Sequence, residues 1–449
     1  MTEGPPGECS STAWTRAQAA AVRRTADNVT PTIQPPETDP ADGVHVWDTW
    51  LLRDRHGTVA TVDGWRVLFS LTAPAESMPG KRHDIAEIRY FYSADGREWH
   101  DGGTVFDGDA YGQRQWAGCA LYDDGDLYVY YTAAGDESAS ELTYTQRIAV
   151  GHGGTVTATT AGVDIDGPWE QEILLEPDGD WYETEAQSRG MIYTFRDPWF
   201  FEDPATGRTH LLFEANTPVP PGSAACGGDA AQQEFNGAVG VAVSPSGDPL
   251  EWELRPPLLD AVCVNQELER PHVIYRDDRY YLFVSSHMHT FAPGLTGYDG
   301  LYGFVADTLE GPYRPLNGSG LVVTNPANAP FQAYSWMAFP HDDEVLVQSF
   351  CNYRDFAGDS LDEVADLSVS EQRRRFGGTL GPTVRLGVDG DQTTIRGTLT
   401  HWHIPTPGEG LPTAEGVSVP EAAALEGHEP SSPLGYITGG GYAQNGSSD

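Results

Sequence analysis

One pattern recurs five times along the 449 residues: a polar turn rich in Asp or Gly, then a run of aromatic and β-branched residues. It reads DGWRVLFSL at 63–71, DGDLYVYYTA from Asp124, TGRTHLLFEA at 206–215, DDRYYLFVSS at 277–286 and DDEVLVQSF at 342–350. Each run has the length and composition of a β-strand entered from a tight turn. The units start roughly 60–80 residues apart, which leaves room for about four strands each. Five such units predict an all-β chain, a five-bladed β-propeller with an axial active-site pocket. A pair of β-sandwiches is the competing arrangement, and no alternation of strands and helices supports a doubly wound sheet.

Composition shifts mark the ends. Residues 1–40 are small, polar and Pro-rich, with one Ala-rich piece, TRAQAAAVRRTADN, suited to a short helix; they read as a partly disordered N-terminal arm. Residues 41–405 carry the repeats and form the catalytic propeller domain. Residues 406–449 turn to Gly, Pro, Ser and Glu and read as an extended wrap followed by a disordered tail.

Asp and Glu number 66 against 26 Lys and Arg, a formal net charge of −40, and only Lys81 among the basic residues is a lysine. Nucleic acid and anionic membranes are thereby excluded as partners, because both need basic surface. A surface so rich in carboxylates and so poor in lysine fits a protein working in molar salt, where screening weakens self-repulsion. Five widely spaced cysteines, Cys9, Cys119, Cys226, Cys263 and Cys351, rule out a disulfide-dense scaffold and a zinc ribbon but leave room for one bridge. No apolar segment follows Arg23-Arg24, so no signal peptide is visible.

With acids this abundant, the informative carboxylates are those set among aromatics, Arg and Pro in apolar strands, where burial is too costly to be casual. Three places qualify. In HVWDTWLLRD, strand alternation puts Asp48 and Trp50 on one face and Trp47 and Thr49 on the other. In YTFRDPWFFEDP, Arg196 and Asp197 are adjacent, while Asp203 before Pro204 reads as turn chemistry. In NQELERPHVIY, Glu267 and Glu269 are two apart on one strand face beside Arg270; crowded carboxylates raise a pKa, as a general acid requires. A capped turn, a structural Arg–Asp pair and an exposed acidic edge are the respective alternatives. A propeller would bring all three to its axis, and a close carboxylate pair suits retaining glycosidic chemistry. No HExxH, GxSxG or P-loop occurs. The His-x-His pairs at 287/289 and 401/403 find no third ligand, so no metal site is expected.

In that order and spacing, VWDTW, FRDP and ELERP resemble the three signature blocks of glycoside hydrolase family 68, the levansucrases and inulosucrases. QWAGCA (115–120), FEAN (213–216), FNGAVG (235–240), DTLEGPYRPLNGSGLV (307–322) and Tyr334-Ser335 agree, and the similarity runs from about residue 45 to 400. The resemblance implies a five-bladed propeller that cleaves sucrose and passes the fructosyl group to an acceptor. It implies Asp48 as nucleophile, Asp197 as transition-state stabiliser and Glu269 as acid/base. It places Trp47, Trp116, Arg196, Glu267, Arg270 and Tyr334 in the sucrose pocket, His287 on its acceptor side and Arg354 on its glucose side. Ala117 stands where relatives usually carry a Ser near the nucleophile, so the tuning of Asp48 should differ. Gln266 replaces an Asp ligand of calcium-binding members, with Asn236 at another ligand position, so structural calcium is conceivable but not expected, and no other cofactor is.

The resulting expectation is a monomeric sucrose fructosyltransferase with fructan or fructo-oligosaccharide acceptors. The lysine-poor surface resembles haloarchaeal members and tilts the product toward inulin rather than levan. The alternatives are a sucrose hydrolase on the same scaffold and a non-enzymatic propeller lectin. Family resemblance places the activity outside the cell. Dilution from molar KCl into low salt should lower the melting temperature; a thermal melt unchanged by salt would refute the halophilic reading.

Overall fold

The computed structural model describes residues 11–36, 39–354, 362–406 and 408–411, together with residue 425. The expected wrap and tail therefore fall almost wholly outside the described residues. Within them the chain builds five antiparallel sheets, one after another, as the blades of a five-bladed β-propeller. The innermost strand of each blade is β1 (Val44–Arg53), β2 (Arg114–Asp123), β3 (Phe195–Glu202), β4 (Glu269–Arg276) and β5 (Ala333–His341). Each pairs with the strand that follows it, and those following strands are the five sequence repeats.

Local chemistry explains the connections. Asp63-Gly64 and Asp124-Gly125 both take positive φ at the tips of two-residue hairpins, as do Asp277 and Asp278. These turns match the right-handed twist of the strands they join, and Asp and Gly tolerate the left-handed region best. Asp203 does cap a turn, accepting from the Ala205 amide and the Thr206 hydroxyl. The blades pack through one large apolar core containing Trp47, Trp50, Phe69, Tyr130, Phe213, Tyr302 and Trp336, all fully buried. Blades I and II are further stitched by a short parallel pairing of Leu52 and Arg53 with Ala120 and Leu121.

The simple alternation expected around Asp48 does not hold. In every blade the innermost strand slips register against its partner at the same level: Trp47/Trp50, Trp116/Gly118, Arg196/Trp199, Glu269/His272 and Tyr334/Met337. At four of these bulges one residue is left-handed, namely Asp48 (φ 48°), Asp197 (φ 59°), Arg270 (φ 52°) and Ser335 (φ 57°). A bulge inserts a residue that has no ladder partner and re-aims its side chain. Here it turns the carboxylates toward the axis. Glu267 lies just before β4 rather than in it, so it and Glu269 meet by loop geometry and not by strand period.

Residues 11–36 lie across the outside of the ring. Thr12–Ala13 pair in parallel with Glu253–Asp260 of blade III. Trp14, 1% exposed, packs edge-on against Phe291 and Phe304 of blade IV. A single helical turn, Arg16–Ala19, starts at Thr15 in a capping box with Gln18. Asp27 accepts from the Ile395 amide of blade V. At the other end, Trp402 and Ile404 bond to Trp99 and Gly96 of blade I. Cys226 and Cys263 form a disulfide, while Cys119 and Cys351 are buried thiols. Among the described residues no helix is long and apolar enough to cross a membrane.

Candidate active site

The bulges open into an axial cavity walled by Asp48 from β1, Trp116 and Ala117 from β2, Arg196 and Asp197 from β3, Glu269 and Arg270 from β4, and Tyr334 and Ser335 from β5. Glu267 and His287 complete the set expected from sequence. Trp47 is fully buried just behind the wall, edge-on to the His83 ring at 5.4 Å. Arg354 is not brought to the cavity. Its Nη2 donates to the Gly377 carbonyl, and the neighbouring Asn352 and Tyr353 line the wall instead.

Arg196 is the electrostatic centre. Its Nε donates to Glu214 at 2.7 Å, and its Nη2 donates to Glu267 at 2.8 Å and to Glu269 at 3.1 Å. Glu214 and Glu267 are almost wholly buried, so burial pushes both carboxyls up from their usual range despite the cation. Burial also raises Asp197, with Arg196 opposing and Glu269 adding to the effect. Arg270 braces the same region: its amide donates to Asp197 Oδ2 at 3.0 Å, Nη1 to the Ser335 hydroxyl at 2.8 Å, and Nη2 to the Thr49 carbonyl at 2.6 Å.

Asp48 makes no ion pair among the described residues. Burial raises its pKa, Arg270 opposes that, Glu269 reinforces it, and the Ser335 hydroxyl donates to the carboxylate. Ala117 brings no hydroxyl to it; the Ala117 carbonyl instead accepts from Thr132, whose oxygen receives the Asp197 amide. Glu269 accepts from Arg196 and, through Oε2, from the Tyr334 hydroxyl. Among the described residues the site thus holds two carboxylates without a salt bridge, Asp48 and the amide-bound Asp197, and one, Glu269, bridged between a guanidinium and a phenol. A carboxylate free of ion pairs that shares a cavity with one held by a guanidinium and a phenol is equipment suited to nucleophilic and acid/base work on a glycosidic bond.

Sequence reasoning did not single out Arg82 and His83. They sit on the short 3-10 segment Pro79–Ile85 and line the cavity. The Arg82 guanidinium lies 5.3 Å over Trp47 and 5.0 Å over Phe376, and the His83 carbonyl accepts from Trp116 Nε1 at 2.9 Å. Burial, then Arg82, hold the His83 imidazole well below its usual pKa, so it is neutral. Only the Pro-Gly start of this segment is written in the sequence, and it signals a turn rather than a site.

Gln266 and Asn236 do not fit a cation. Gln266 donates to the Ile192 carbonyl and accepts from the Met191 amide. Asn236 donates to Thr217 and to Glu183, the sole carboxylate in this network. Among the described residues no three His, Cys, Asp or Glu side chains are grouped to hold a metal.

The profile of glycoside hydrolase family 68, described as levansucrase/invertase, matches residues 7–405. The chain belongs to this family. The match extends beyond the 45–400 span read from the blocks and takes in the N-terminal segment. Levansucrase LscA of Pseudomonas savastanoi pv. glycinea is 38% identical over 431 residues, covering 88% of this chain and 96% of its own length. An inulosucrase from Halalkalicoccus jeotgali, solved bound to kestose, is 64% identical with a TM-score of 0.88, covering 90% of this chain and 99% of that one. The catalytic domain of a β-fructofuranosidase from Microbacterium saccharophilum K-1 is 32% identical with a TM-score of 0.77, covering 90% and 96%.

Removing Arg196 would leave buried carboxylates unpaired. Arg196→Leu is expected to lower unfolding stability by about 3–5 kcal/mol at neutral pH. Without the cation, the folded-state pKa values of Glu214 and Glu267 lie still further above their unfolded values. The folded state then binds more protons, so stability is regained as pH falls. Denaturant melts at pH 7 and pH 5 check this; a variant no less stable than its parent, or one that weakens further in acid, contradicts it.

Proposed function

We propose that this protein is a sucrose fructosyltransferase acting by double displacement, with inulin-type products. Asp48 attacks the anomeric carbon of the fructosyl unit, and Glu269 donates its proton to the bridging oxygen so that glucose departs. Asp197, held by the Arg270 amide, accepts fructosyl hydroxyls and stabilises the oxocarbenium-like transition state. Glu269 then takes the proton of an acceptor hydroxyl, which attacks the fructosyl-enzyme and frees Asp48. Tyr334, in hydrogen-bond contact with Glu269, steadies the acid/base between its two tasks.

The observation that carries this reading is the convergence of Asp48, Asp197 and Glu269, from three blades, on one cavity around Arg196. Trp116, Glu267 and Arg270 are assigned to the sucrose side and His287 to the acceptor side, with Trp47 backing the wall rather than touching the sugar. The preference for inulin over levan rests on the 64% identity to a haloarchaeal inulosucrase. Hydrolysis is the second reading, favoured by the β-fructofuranosidase likeness. It differs only in water winning the second step. We assign the activity to the outside of the cell by analogy with the extracellular sucrase of Zymomonas mobilis, 35% identical over 409 residues, and take the working form to be a monomer.

Incubation with sucrose in molar salt, with free glucose and fructose measured together, tests the reading. Glucose in excess is expected, and linkage analysis should find 2,1-bonds; equal amounts would make the protein a hydrolase, and neither sugar would favour a lectin. Asp48→Ala should abolish glucose release, and a tenth of parental turnover would sink the nucleophile role. Glu269→Gln should slow release by about 10²–10⁴-fold.

A further inference from the structure

Behind the acceptor side of the cavity lies a carboxylate that the mechanism above does not use. Asp299, fully buried, precedes the blade IV strand Gly300–Ala306 and is not part of the cavity wall. Its Oδ2 meets His287 Nδ1 at 3.1 Å, and its Oδ1 accepts from the Met288 amide at 2.8 Å. Its backbone carbonyl accepts from the Thr324 hydroxyl, so the residue is held at both its side chain and its backbone. The His287 ring does line the cavity and stacks face to face on Tyr334, with centroids 3.6 Å apart and planes 12° apart. Tyr334 in turn donates to Glu269. One chain of contacts therefore runs from a buried acid, through an imidazole and a phenol, to the acid/base.

A carboxylate on one imidazole nitrogen sets the tautomer and the orientation of the ring and leaves the other nitrogen to face a ligand. We propose that Asp299 is a positioning residue for the transfer step: it fixes the His287 ring with Nδ1 committed to itself and Nε2–H offered to the acceptor sugar, and so favours a sugar hydroxyl over water at the fructosyl-enzyme. The proposal rests on the fructosyltransferase reading.

The groups facing His287 fix the sign of its pH response. Asp299 touches it from the blade IV loop, Glu269 and Glu267 act from β4 and the residues before it, Tyr334 from β5, His289 stacks at 5.0 Å, and His83 reaches it from the 3-10 segment. Burial disfavours its charge, but Asp299 and then the two glutamates push the pKa up to about 9. His287 is an imidazolium below that pH and loses its proton as pH rises through it.

The experiment uses the full chain in molar KCl with sucrose, from about pH 6 to about pH 10, reading glucose minus fructose as a share of glucose. The parent's transferred share should hold steady to about pH 8 and then fall as the imidazolium titrates. In Asp299→Asn that fall should move toward lower pH by about one unit or more, and the share at neutral pH should drop about threefold. His287→Arg, whose cation does not titrate in this range, should remove the alkaline fall. An Asp299→Asn profile superimposable on the parent's, or a loss of glucose release in step with transfer at an unmoved pH, would overturn the proposal. Should Asp299→Asn fail to fold, an alkaline fall persisting in His287→Arg overturns it alone. A parent that releases no glucose would sink the underlying function instead.

Discussion

The geometry of the site depends on Arg270. Its left-handed backbone points its amide at Asp197 of blade III, while its guanidinium reaches Ser335 of blade V and the Thr49 carbonyl of blade I. One residue of blade IV thus ties together the three other blades on which that chemistry stands. Such backbone angles cost of order 1–3 kcal/mol and persist only where surroundings over-determine them. Here the surroundings include the bulge residues Asp197 and Ser335 of the flanking blades, which accept from the Arg270 amide and guanidinium. A bulge in one blade alone would leave an unpaired strand residue; five at one level make a ring of inward-turned groups.

Electrostatics follows from that ring. Carboxylates gathered at a buried axis repel one another and are poorly solvated, and either effect alone would drive protons onto them. Three arginines oppose this. Arg196 is spent on Glu214, Glu267 and Glu269, whereas Arg270 and Arg82 act on Asp48 through their charge without forming an ion pair with it. A carboxylate braced by a guanidinium is held in place but weakened as a nucleophile. Asp48 is left with a hydroxyl contact and a face toward the cavity.

The architecture was legible because each blade announces its second strand with an Asp or Gly turn and a β-branched, aromatic run. Asp48, Asp197 and Glu269 were legible as candidates because acids embedded beside Trp, Arg and Pro are rare even in a chain crowded with acids. What alternation suggested around them was mistaken, since period-2 logic assumes an unbroken ladder and every inner strand breaks it where the site lies. Arg82 and His83 were hidden because a short 3-10 turn carries no periodic signal. Glu214 stood in the FEAN block, but its partner Arg196 is supplied by another strand. Asp299 in TGYDG looks like any loop acid; only the fold reveals that it is buried against His287. The pairing of Cys226 with Cys263 likewise needed the fold, since five cysteines permit many pairings.

The order of the sheets has one last consequence. Among the described residues every blade is drawn from one stretch of chain, apart from the two-residue edge strand Thr12–Ala13 on blade III and the bridge of Val29 to Thr324 on blade IV. Among the described residues the seam between blades V and I is therefore crossed by side chains and loop hydrogen bonds, with no strand shared between first and last blades. Blade order is then a matter of circular succession rather than of beginning and end. In principle, a chain opened at any interblade loop would draw the same five sheets, and the feature it would have to replace is the clasp that residues 11–36 lay across blades III to V.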